Sequence, residues 1–163
     1  MENDIEKLKF PIGKYKAILE FNFSRTIQDI KTLESFANNL KDSVKGLDKT
    51  DFKKTYRDGG MNIAQIIHHY CDTHTYAFLR TKHTLLEDNP SVKMYEVSEF
   101  LTTPESNVLD VEDSLKVIEG IHAKWVSLLK TLSENDFNKT YYHSARDKNI
   151  ILHEHVGMYA WHT

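Results

Sequence analysis

Residues 68–74 read HHYCDTH and residues 153–162 read HEHVGMYAWH, and together they hold six of the chain's nine histidines. Neutral imidazole is a common metal ligand and a general base, so histidines on helices that face one centre are the residues here that could do chemistry. Within the first cluster His68 and His69 are adjacent, and adjacent helical residues diverge by about 100°. At most one of them points at a centre between helices. His69 shares its side with Ile66, Asp72, Thr73 and Tyr76, whereas His68 sits with Ala64, Cys71 and Thr75. The periodicity leans to His69, against the competing reading that both are surface or hydrogen-bonded core histidines. Asp72 falls on the face of His69, either as a carboxylate that orients a ligand imidazole or as a solvated helix residue. His74 lies about 140° round from His69, which argues against a direct role in the same centre. In the second cluster His162 is the candidate, with Tyr159 one turn before it and His155 two turns before on nearly the same side; the competing reading packs His162 beside Trp161.

The elements that must position these residues are helical. Ile27, Ile30, Leu33, Phe36, Ala37, Leu40 and Val44 form one apolar stripe over 24–46, closed by Gly46. A short amphipathic piece at 47–55 leads into the turn Arg57-Asp58-Gly59-Gly60. Asn62 caps a second long helix that runs to Asp88. Residues 89–111 contain Pro90 and Pro104, lack periodicity and read as a long surface connection. A third helix opens at Asp113 or Ser114 and carries Val117, Ile118, Ile121, Trp125, Leu128 and Leu129 to about Leu132; a capped turn follows around Phe137. Residues 140–143 and 150–152 read as a small hairpin, and the fourth helix starts near His153. The pattern predicts an all-α up-down four-helix bundle with short extra helices and a small hairpin before the last helix.

Length, at 163 residues with 40% hydrophobic content, suits a single domain over 1–163. A net charge of -3 offers no basic field for phosphates, so nucleic acid is not an expected partner. The lone cysteine, Cys71, cannot form an internal disulfide and reads as a small buried hydrophobe rather than a nucleophile. The opening MENDIEKLKFPIG reads as neither a secretory signal nor a transit peptide, and no stretch approaches the roughly 18 apolar residues of a membrane span. A cytoplasmic protein that avoids the membrane is expected.

The stretches FPIGKYK (10–16), YRDGGMNIAQIIHHYCDTH (56–74), HAKWVSLLKTL (122–132), TYYH (140–143) and YAWH (159–162) together resemble the YfiT branch of the DinB superfamily. That resemblance implies a four-helix bundle holding one divalent metal, nickel or zinc, on three histidines. Position by position it makes His69 and His162 ligands and places the third four residues beyond His162. The chain stops at Thr163 with helical periodicity still running, so the expectation is a domain truncated within its last helix; His155 is the substitute ligand to consider, at a position the family does not use. Tyr56, Arg57, Asp72 and Tyr159 are expected around the pocket, Trp125 and Trp161 in the core, and Met61 stands where the family has a tryptophan. The implied function is transfer of a small bacillithiol-like thiol to an electrophilic substrate. The alternatives are metal-dependent hydrolysis of a small molecule and a non-catalytic metal-binding stress-response bundle. The family also implies a homodimer.

Overall fold

The computed structural model describes residues 2–93 and 95–163. In chain order the helices are α1 (Glu2–Lys9), α2 (Phe23–Val44), α3 (Lys49–Phe52), α4 (Ile63–Leu86), α5 (Val97–Phe100), α6 (Glu112–Leu129), α7 (Glu134–Phe137) and α8 (Leu152–His162). The strands are β1 (Ser91–Val92), β2 (Thr140–His143) and β3 (Lys148–Ile151), and single 3₁₀ turns occupy Pro104–Asn107 and Ser144–Arg146. The four long helices α2, α4, α6 and α8 form the bundle expected from the apolar stripes.

Local chemistry fixes the starts. Asn22 accepts from the Arg25 amide at 2.9 Å at the head of α2, and Asn62 with Gln65 forms a reciprocal capping box on α4. Asp48 with Asp51, and Ser133 with Asp136, do the same for the short α3 and α7. Gly46, at φ +83°, ends the first long helix in a conformation that suits glycine.

Side-chain pairings give the helix directions. Along α4 and α6, His68 meets Ser114, His74 meets His122, and Thr81 meets Trp125, so residue numbers rise together and the two helices are parallel. Lys41–Glu119 and Glu34–Lys130 run the numbers oppositely, so α2 is antiparallel to α6. His155 bonds the Ala77 carbonyl and His162 meets His74, which makes α8 antiparallel to α4. The order is up-down-down-up, so the alternation of a plain up-down bundle is broken between α4 and α6. Helices α2 and α4 each pack against both α6 and α8, so α2 faces α4, and α6 faces α8, across the bundle. Parallel neighbours need a return as long as the helix, here roughly 36 Å for 24 residues. The 87–111 segment supplies it, and that is why so long a connection exists.

The expected hairpin forms between β2 and β3 in antiparallel register Thr140↔Ile151, closed by Asp147 in the left-handed region. A third strand, β1, joins β2 in parallel from the long connection. Its two residues give too short a pattern to read from sequence.

The apolar interior has two clusters. One gathers Ile30, Leu33, Ala77, Trp125, Leu129, Leu152 and Val156; the other gathers Phe36, Ala37, Ala64, Ile67, Leu115 and Ile118. On α4 and α6 the numbers between them are those of histidines: His74 lies between Ile67 and Ala77, and His122 between Ile118 and Trp125. A polar layer therefore crosses the bundle at the seam. No helix among the described residues is long and apolar enough to cross a membrane.

Candidate metal centre

The seam is a chain of imidazoles with one end fixed by backbone. His122 Nδ1 lies 2.8 Å from the Leu33 carbonyl, His122 Nε2 lies 2.8 Å from His74 Nδ1, and His74 Nε2 lies 3.2 Å from His162 Nδ1. A carbonyl can only accept, so the His122 proton sits on Nδ1 and its Nε2 is an acceptor. His74 must then donate from Nδ1 and accept at Nε2, and His162 must donate from Nδ1. The consequence reaches the last ring: His162 carries its free lone pair on Nε2.

That assignment requires neutral rings, and the surroundings keep them neutral. Burial, reinforced by the neighbouring His122 and His162, holds His74 well below the ordinary histidine value. Burial lowers His122 as well, and burial with the nearby His69 brings His162 down to about 4. Phe36 stacks on His74 at 5.2 Å, and the Tyr70 hydroxyl donates to the His162 carbonyl at 3.2 Å, satisfying a carbonyl of the last turn.

His69 comes from the adjacent face of α4. Its Nδ1 lies 3.1 Å from the Tyr95 hydroxyl, whose ring stacks against the imidazole at 5.9 Å, and burial lowers the His69 pKa. With Nδ1 occupied, Nε2 is again the nitrogen left over. The His69 and His162 rings meet edge to face at 5.4 Å and both line a pocket of about 340 Å³. Neutral imidazoles with Nδ1 tied down suit a divalent ion of the nickel or zinc kind in donor type. Among the described residues no three His, Cys, Asp or Glu side chains converge as a metal site, so the fold offers a pair of donors.

The other sequence candidates fall as follows. His68 is tied at both nitrogens, to Ser114 Oγ at 2.8 Å and the Val108 carbonyl at 3.1 Å, and leaves no lone pair for the centre. His155 is likewise consumed by the Tyr141 hydroxyl at 2.8 Å and the Ala77 carbonyl at 3.1 Å, so the substitute-ligand role has no nitrogen to use. Tyr159 does line the pocket, packed on His74 and His162. Asp72 is partly buried with its pKa raised, chiefly by burial; among the described residues it bonds no imidazole, and Tyr95 holds the His69 nitrogen that a carboxylate would have oriented. Tyr56 and Arg57 bond each other at 3.1 Å in their turn and are not among the pocket-lining residues; neither is Met61. Trp125 is fully buried as expected, but Trp161 is not core: it lines the pocket, stacks on Phe10 and donates to the Gly13 carbonyl at 3.0 Å. That contact explains the FPIGKYK stretch, which lies along the last helix.

Sequence reasoning missed His122, Arg80, Tyr95, His143 and Arg146. Two of these carried a signal. His122 interrupts the apolar stripe between Ile118 and Trp125, and Arg80 stands eleven residues past His69, within about 20° of its face. Tyr95, His143 and Arg146 arrive from the long connection and the hairpin, where no periodicity points inward.

The DinB superfamily profile matches residues 32–163. The chain is 33% identical to a Geobacillus kaustophilus protein over 158 residues, covering 97% of this chain and 89% of that one. It is 30% identical to YfiT of Bacillus subtilis over 156 residues, covering 96% and 88% respectively. Both relatives bear the same provisional name, metal-dependent hydrolase. The solved structure of Bacillus subtilis YfiT, described as a probable metal-dependent hydrolase with an unusual four-helix bundle topology, superimposes with a TM-score of 0.93 over 96% of this chain and 89% of that one.

Proposed function

Because this chain belongs to the DinB superfamily, with the YfiT fold throughout, we propose that it is a metal-dependent enzyme acting on a small molecule. The finer reading is a transferase that joins a small bacillithiol-like thiol to an electrophile. The observation that carries the proposal is the His69–His162 pair, two neutral imidazoles on one pocket whose remaining nitrogens are both Nε2. A divalent ion, nickel or zinc, supplies when bound the positive charge that favours the deprotonated form of a nucleophile. The family expectation of a third histidine, four residues past His162, belongs to the same proposal.

The chain's own residues do the rest. Tyr95 orients His69, and the His74–His122 chain orients His162 from a fixed carbonyl. Met158, Tyr159 and Trp161 wall the pocket with apolar surface that limits water. In transfer, a sulfur lone pair forms the new S–C bond, the leaving group departs with its bonding pair, and the thiol proton passes to solvent. Thiol transfer is supported by acidity: a thiol loses its proton near neutral pH, whereas water in the same pocket must rely on the metal or on His143, whose Nδ1 has no partner, to lose its own. Hydrolysis is the second reading, and the names of the relatives support it.

The test is conjugation of a fluorogenic electrophile, monochlorobimane, with bacillithiol, with other small thiols and with no thiol, before and after nickel or zinc is supplied. Thiol- and metal-dependent conjugation supports the transferase. Metal-dependent turnover of ester or amide substrates, with no thiol requirement, moves the assignment to the hydrolase.

A further inference from the structure

The pocket that holds the histidine pair is also lined by Arg80, His143 and Arg146. Arg80 is only 7% exposed, and its charge is not matched: among the described residues it forms no ion pair, and its Nε has no hydrogen-bond partner. Its other nitrogens reach the Lys93 carbonyl at 3.0 Å and the Tyr159 hydroxyl at 3.4 Å, and its guanidinium lies over the Tyr76 ring at 5.6 Å. These are neutral partners. His143, 8% exposed, leaves Nδ1 buried without a partner. Arg146 sits at the exposed rim, held among the described residues only by Met158 Sδ at 3.4 Å. The nearby buried carboxylate, Glu154, is engaged by Lys148 at 3.2 Å.

Holding a guanidinium in a buried site without a counter-charge costs several kcal/mol, and a fold keeps such a group where an anion completes it. The rim cation and the donor-capable ring beside it extend the same demand. We propose that Arg80, His143 and Arg146 form an oxyanion-binding subsite that takes a carboxylate or phosphate group of the substrate, so that the molecule lies across the pocket with its reacting end toward His69 and His162. The inference rests on the reading of this pocket as the enzyme's site and specifies what it selects: a small, acidic molecule. Arg80 supplies a buried charge with an unpartnered Nε–H, Arg146 a second charge at the exposed rim, and His143 an unpartnered Nδ1 that donates once an anion is present.

The experiment uses the full chain stripped of metal with a chelator, titrated calorimetrically with succinate and, separately, with inorganic phosphate. Saturable binding of either supports the subsite, and the tighter of the two identifies the group it accepts. Arg146→Gln, at an exposed position that spares the core, is expected to weaken that binding about tenfold, the worth of one charge-assisted hydrogen bond. Arg80→Lys, which keeps the charge and loses the Nε–H, weakens it similarly, and His69→Ala leaves it intact. No saturable binding of either anion, or binding by Arg146→Gln and Arg80→Lys as tight as that of the unaltered chain, overturns the proposal. Nickel titration of the same samples separates the two readings. A chain that takes up nickel and binds neither anion loses the subsite alone; one that binds an anion and no nickel keeps the subsite and loses the metal assignment.

Discussion

Replacing His122 with leucine cuts the imidazole chain two rings away from the pocket and is expected to change the nitrogen that His162 presents to it. In the intact protein the Leu33 carbonyl forces the proton onto His122 Nδ1, and the order propagates to His162. In His122→Leu the His74 Nδ1–H has no acceptor inside the bundle, a loss of about 1–3 kcal/mol for a buried donor. His74 relieves it by moving its proton to Nε2, which obliges His162 to accept at Nδ1 and to carry its own proton on Nε2. A metal must then reverse the shift, so affinity should fall roughly 10- to 100-fold, the size found for outer partners of ligating histidines. Stability should fall by the same order, roughly 2–4 °C in melting temperature per kcal/mol for a chain of this size. The assays are nitrogen NMR of the histidine side chains for the tautomer and zinc titration calorimetry for affinity. His83→Leu, at an exposed histidine of α4 paired with Glu87, serves as the control. A folded His122→Leu protein in which His162 keeps its Nδ1 proton and zinc affinity is unchanged would refute the relay.

Four further outcomes are expected. In a chain lengthened to carry histidine four residues past His162, His69→Ala should abolish nickel or zinc uptake while His68→Ala retains it, since His68 spends both nitrogens on Ser114 and Val108; elemental analysis after dialysis decides, and equal retention in both removes His69 as a ligand. A version lengthened to carry histidine four residues past His162 should bind nickel or zinc tightly and gain melting temperature on metal addition, whereas the 163-residue chain gains little, as scanning fluorimetry will show; a strong gain in the shorter form would mean another residue completes the site. Acid should destabilise the protein through His155, whose burial holds it to about 3 against 6.5 when unfolded. The unfolded state binds that proton first, so stability is whole above pH 6.5 and falls below it, by about 2 kcal/mol at pH 5, and urea unfolding of His155→Gln should show a correspondingly flatter pH dependence. A homodimer is expected from the family, and light scattering at the 19.0 kDa of one chain would rule it out.

The sequence by itself determined the elements and one side of the site. Helices α2, α4 and α6 were legible because Ile30, Leu33 and Phe36, or Ile118 and Trp125, repeat at the helical period, and the starts of α4 and α7 because Asn62 and Ser133 bring their own hydrogen bonds, whereas α6 starts after Val111 with no side-chain cap to mark it. These are local interactions, within four residues, and sequence spacing encodes them. His69 was separable from His68 for the same reason: about 100° of helix divides them. The direction of α6 relative to α4 was not legible, since an apolar stripe says which face is buried and nothing about the neighbour's polarity; only the pairing of His68, His74 and Thr81 with Ser114, His122 and Trp125 decides it. The tautomer of His162 was decided further away still, by a carbonyl on α2 acting through two other helices. So was the cationic wall, which joins Arg80 of α4 to His143 and Arg146 of a hairpin more than sixty residues along the chain. Hydrogen bonds and charges between distant segments carry no period, and the tertiary fold alone brings them to one pocket.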